Sequence, residues 1–135
     1  MRFSTKKHDQ YVILSLQEEK LTSIIAPDLK SEFIVTNAQG GRNIIVDLSE
    51  VKYADSSGLS TLLRGNSLCK ALGGIFVVCG LTEHVEKMIV ISHLDRVLTI
   101  LPTVQEAIEA VFMHEIESDI VDDEAPAEDG EASAE

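Results

Sequence analysis

Asn43 to Leu63 reads NIIVDLSEVKYADSSGLSTLL. The segment begins as a strand and ends as a helix. Ile44, Ile45 and Val46 form a short β-branched run, the mark of a strand buried within a sheet, and Asp47 and Ser49 close it. Val51 and Tyr53 form a second anchoring point ahead of Asp55. Ser56 or Ser57 then stands where a side-chain oxygen can cap a helix whose apolar face is Leu59, Leu62 and Leu63. A helix start leaves N–H groups without intrahelical partners and carries the positive end of the dipole. A serine there is well placed to carry a phosphate. Gly58 falls in the first turn, where glycine costs about 1 kcal/mol against alanine; the close approach of another backbone would account for it.

Working outward, Arg2 to His8 reads as a polar strand and Tyr11 to Leu16 as an alternating one. With His8, Asp9 and Gln10 between them they form an antiparallel hairpin. Gln17 to Ile25 is a connecting loop. Pro27 suits the first turn of a helix over about Ala26 to Ala38, with Leu29, Phe33 and Ile34 on its apolar face and Gly40 and Gly41 as its stop. The helix that starts near Ser57 runs to about Leu72 and ends at Gly73 and Gly74. Ile75 to Val78 is the next buried strand, Leu81 to Ile91 a helix with Val85, Met88 and Ile89 inward, and Val97 to Leu101 the last strand. Pro102 and Thr103 open a final helix with Val104, Ala107, Ile108 and Val111 inward. The order ββαβαβαβα predicts an α/β fold: a mixed, mostly parallel sheet with helices packed on it, joined by right-handed crossovers, and the first strand antiparallel at an edge.

The chain has 135 residues, enough for one domain with a core, and a net charge of −12. That charge is unevenly placed. Ten of the 23 acidic residues lie from Glu115 onward, where there is no Lys or Arg, so residues 1–114 hold 13 acids against 11 bases. Two parts are expected: a domain over 1–114 and an acidic, disordered tail over 115–135, too poor in apolar residues to pack. An acidic chain without a basic face argues against nucleic acid or anionic membrane as partners. There is no Trp and only 4% of residues are aromatic, so aliphatic side chains fill the core. Cys69 and Cys79 fit neither a disulfide framework nor a zinc spacing and read as buried free thiols. No apolar stretch reaches the roughly 18 residues of a membrane span, and MRFSTKKHDQ lacks the apolar core of a signal peptide. The expected location is the cytoplasm.

Catalytic signatures are missing from the sequence. It holds neither a GxxxxGK[ST] loop nor a GxGxxG turn after a strand. His8, His84, His93 and His114 have no metal-ligand spacing, and no hydrolase elbow surrounds Ser56. The chain is read as a non-enzyme without cofactor or metal. A phosphorelay receiver with Asp47 as acceptor would need an acidic pair after its first strand and a lysine after its last. Asp9 is isolated and Pro102 follows Leu101, which argues against that reading.

DLSEVKYADSSGLSTLL resembles the signature of STAS domains, and of anti-sigma factor antagonists in particular. Asp47, Ser49, Val51, Asp55, Ser56, Ser57, Gly58, Leu59, Leu62 and Leu63 all fall in register with it. The likeness continues through GGIFVVCGLTEHVEKMIVISHLDRVLTILPTVQEAI and covers most of Met1 to Met113. It implies the STAS fold and a partner-switching function. In that scheme the unphosphorylated antagonist binds an anti-sigma factor serine kinase and releases the sigma factor. The kinase phosphorylates the serine after the aspartate, here Ser56, and a serine phosphatase resets it. Asp55, Ser56, Ser57, Gly58 and Thr22 would form the partner surface. The chain departs from the family at Glu19, Lys20, Leu21 and Thr22, where many antagonists carry Gly-Glu-Leu-Asp and Thr22 replaces the aspartate. The alternative is a STAS scaffold subunit in a lipid-transport or stress-signalling complex, with no phosphorylation switch.

Overall fold

The first strand, β1 (Phe3–Lys7), turns back onto β2 (Val12–Leu16) in antiparallel register, Phe3 opposite Leu16 and Lys7 opposite Val12. The hairpin turn is closed by His8 N–H donating to the Tyr11 carbonyl at 2.8 Å. The computed structural model describes residues 1–124. Helix α1 (Ala26–Ala38) carries the chain to β4 (Ile44–Asp47), which lies parallel to β2. Helix α2 (Ser56–Ala71) leads to β6 (Phe76–Cys79), and α3 (Glu83–Ile91) with a 3-10 turn (Leu94–Arg96) leads to β7 (Thr99–Leu101). All these crossovers make parallel pairs, and the sheet order is β1-β2-β4-β6-β7. Helix α4 (Val104–Glu124) follows, its first turn capped by Thr103 Oγ1, which accepts from Glu106 N–H at 3.1 Å.

Alternation along the central strands divides the core in two. Ile44 and Val46 point to one face with Phe76 and Val78, where α1, α2 and α3 bring Leu29, Phe33, Leu59, Leu62, Val85 and Ile89. Ile45, Val77 and Cys79 point to the other, covered by Ala107 and Val111 of α4. Both cysteines are free and buried. Burial pushes the Cys69 thiol up to about 11, and burial with the nearby Asp47 charge pushes Cys79 up to about 12, so both stay protonated and unreactive at neutral pH.

Four departures from the sequence reading concern the bounds and faces of the elements. The expected loop from Gln17 to Ile25 contains β3 (Lys20–Leu21), which pairs in parallel with β5 (Tyr53–Ala54) as a second, two-stranded sheet. Leu21 and Ala54 are both fully buried there. On α1 the buried residues are Leu29, Phe33 and Thr36, whereas Ile34 is 44% exposed; a 3.6-residue repeat carries the inward stripe from 29 and 33 to 36. The last strand begins at Thr99 rather than Val97, because the 3-10 turn occupies the residues before it. Finally, α4 continues to Glu124, past the expected boundary at 114. Glu115 explains part of this: its carboxylate accepts from Arg42 Nη2 at 2.5 Å and from Asn43 Nδ2 at 3.0 Å. Asn43, itself buried, also donates to the Gln10 carbonyl and accepts from Ile75 N–H. The remainder of the expected tail, residues 125–135, lies outside the described residues.

Burial pulls the Glu115 carboxyl upward, but the bonds from Asn43 and Arg42 and the Arg42 charge outweigh it, leaving its pKa below the ordinary 4.5. A carboxylate with a lowered folded pKa stabilises the fold above its unfolded value, and that contribution is lost as pH falls through the folded value. Glu115→Gln should therefore cost on the order of 1 kcal/mol at pH 7, a modest figure because Arg42 is solvent-screened. The difference from wild type should shrink below pH 4.5. Urea unfolding of both proteins at pH 7 and pH 3 measures it; an equal difference at both pH values would contradict the assignment.

Candidate functional site

The parallel register of the small sheet, Lys20 beside Tyr53 and Leu21 beside Ala54, delivers the next residues of both segments to one edge. Asp55 follows β5 in extended conformation (φ −103°, ψ 179°), and its backbone N–H donates to the Leu21 carbonyl at 3.1 Å. Its side chain then serves two segments. Oδ1 accepts from Gly58 N–H at 2.8 Å and caps α2, while Oδ2 accepts from Ser23 N–H at 3.2 Å and ties down the loop after β3.

Asp55 is therefore the cap, and the expected cap by Ser56 or Ser57 is corrected. A cap residue must still be extended so that its side chain can reach back to the third helical N–H. Asp55 meets that condition, whereas both serines already occupy the first helical turn. Ser56 and Ser57 are exposed. The Ser57 carbonyl accepts from Thr61 Oγ1 at 3.1 Å, and Thr61 itself is buried. Thus the two serines present exposed hydroxyls at a helix N-terminus, where partial positive charge favours an anion.

Gly58 is buried, and a Cβ there would overlap the Leu21 carbonyl. The close backbone that its sequence position suggested belongs to the same chain. Thr22 is half-buried beside this edge. Its carbonyl accepts from Ile25 and Ala26 N–H, and its Oγ1 lies 3.4 Å from Ile24 N. Asp47 Oδ1 accepts from Ser49 N–H at 3.0 Å and closes the end of β4. Two features escaped the sequence reading. Ile24 is 85% exposed, and Tyr53 stacks on His84 with ring centroids 5.5 Å apart. The pair Ile24–Ile25 in a turn before Pro27 was the only signal for the first, since one of two adjacent isoleucines must point outward there. Among the described residues, no group of three or more His, Cys, Asp or Glu is placed to hold a metal ion, and no helix is long and apolar enough to cross a membrane.

The STAS domain pattern matches residues 2–107. BtrV of Bordetella bronchiseptica, named as an anti-sigma factor antagonist, is 30% identical over 83% of this chain and 95% of its own length. A Thermotoga neapolitana protein, named as a homolog of the antagonist TM1081, is 33% identical over 54% of this chain. The matched stretch is 65% of that relative's length, so less than two thirds of it is spanned. The crystal structure of TM1081 from Thermotoga maritima superposes with a TM-score of 0.69 at 28% identity, covering 81% of this chain and 93% of that one. At the level of fold alone, the phosphorylated form of the Bacillus cell fate determinant SpoIIAA gives a TM-score of 0.63 at 20% identity, over 82% and 99% of the two chains. The mixed five-stranded sheet and these matches agree: the chain belongs to the STAS domain family, among relatives named anti-sigma factor antagonists.

Proposed function

We propose that this protein is an anti-sigma factor antagonist acting by partner switching. In this reading it is a non-catalytic cytoplasmic binding module. Unphosphorylated, it binds an anti-sigma factor that is a serine kinase, and the bound sigma factor is released. Phosphorylation of Ser56 by that kinase ends the complex, and a serine phosphatase restores it. Asp55, Ser56, Ser57 and Thr22 lie at the partner surface, with Gly58 beneath them allowing β3 to close against α2.

The observation that carries this reading is the division of labour at the start of α2. Asp55 performs the capping, so the exposed Ser56 hydroxyl next to it is not needed by the fold. Ser56 also stands directly after the aspartate, as the family's acceptor does. A phosphate adds about −1.5 to −2 charge. The free N–H groups of the first turn tolerate it within this protein. Against a partner surface already facing Asp55 it is unfavourable, through like-charge repulsion and desolvation.

Incubation with the cognate kinase and ATP, followed by peptide mass spectrometry, should locate one phosphate on Ser56. Modification at Ser57 or Ser60 instead would contradict the acceptor assignment. No modification at all, with the kinase active on its other substrates, would favour the scaffold reading.

A further inference from the structure

An exposed isoleucine by itself means little, since single apolar side chains on a surface are ordinary. Ile24 differs in how it is held. It is the most exposed of the large hydrophobic residues described, at 85%, and it sits on a short loop rather than on a helix flank. The loop is fixed at both sides of it. Ser23 N–H donates to Asp55 Oδ2, and the Thr22 carbonyl accepts from Ile25 and Ala26 N–H at 3.1 and 2.9 Å. Its neighbour Ile25 turns inward and packs on the core, so the fold's own need for apolar cover at this turn is met. The remaining isoleucine is presented outward by the same carboxylate that caps the helix bearing Ser56.

We infer that Ile24 is the apolar anchor of the surface that binds the anti-sigma partner, seated in an apolar pocket of that partner beside Ser56. This rests on the proposed function. A pre-ordered loop loses little conformational freedom on binding, so burial of the side chain counts nearly in full toward affinity. Buried aliphatic or aromatic anchors surrounded by polar contacts are where binding energy concentrates. The shared Asp55 carboxylate places this anchor and the phosphorylation site on one rigid edge. A partner seated on Ile24 must therefore approach Ser56, and a phosphate there acts on the same contact.

Calorimetric titration of the unphosphorylated protein against the anti-sigma factor kinase tests it, with Ile24→Ala and the control Ile116→Ala. Ile116 is 54% exposed on α4, which packs on the other face of the sheet. Ile24→Ala should melt as wild type does and bind at least roughly tenfold more weakly, with Ile116→Ala unchanged. Ile24→Ala within about twofold of wild type overturns the inference alone. Equal weakening by both variants overturns it too, as the signature of a non-specific apolar effect. No binding by wild type overturns the functional reading and this anchor with it.

Discussion

Phe33→Ala should destabilise the protein by about 3–5 kcal/mol, a large share of the 5–15 kcal/mol typical of a domain. Phe33 is fully buried and meets Phe76 edge to face, ring centroids 5.3 Å apart and planes at 86°. The two rings join α1 to the sheet beneath α2, and Gly65 makes room for them. A Cβ at Gly65 would lie 2.5 Å from the Phe76 ring and 2.9 Å from Phe33. Truncation leaves a cavity among closely packed neighbours with no flexible side chain at Gly65 to fill it. Ile34→Ala, one residue along on the exposed flank, should cost under about 1 kcal/mol. Urea denaturation of both variants decides this. A loss below about 1.5 kcal/mol for Phe33→Ala would show that the core collapses into the space, contrary to this packing.

The same pair of residues shows what the sequence could reveal. Leu29 and Phe33, four apart, are legible as one helical face, whereas Ile34 is as hydrophobic but its angle puts it on the flank. The central strands were legible because Ile44–Val46 and Phe76–Val78 are buried on both faces and read as unbroken apolar runs. By contrast, β3 and β5 have two residues each. They are brought together by pairing across more than thirty positions of chain, and no local pattern announces it. That hidden pairing also decided the cap. Asp55, Ser56 and Ser57 can all cap a helix, and nothing local tells them apart. The ladder with β3 fixes Ala54 as the last strand residue and leaves Asp55 extended behind it. The length of α4 was hidden for a related reason. The stretch from Glu115 onward is rich in acid and poor in apolar residues, a composition that reads as a disordered tail, whereas Glu115 is tied to Arg42 and Asn43 far away in the chain.

Because Asp55 supplies the cap, Ser56→Ala should leave stability within about 0.5 kcal/mol of wild type and retain partner binding while losing the ability to be switched off. Ser56→Asp should weaken binding, less than a phosphate does, since one carboxylate carries less charge and fewer acceptor oxygens. The most direct measurement of the central claim is calorimetric titration of the Ser56-phosphorylated protein against the anti-sigma factor kinase, beside the unphosphorylated form. Phosphorylation should lower the affinity on the order of a hundredfold or more, about 2.8 kcal/mol, with the fold unchanged by circular dichroism. Tight binding of the phosphorylated protein, equal to that of the unphosphorylated form, would contradict it.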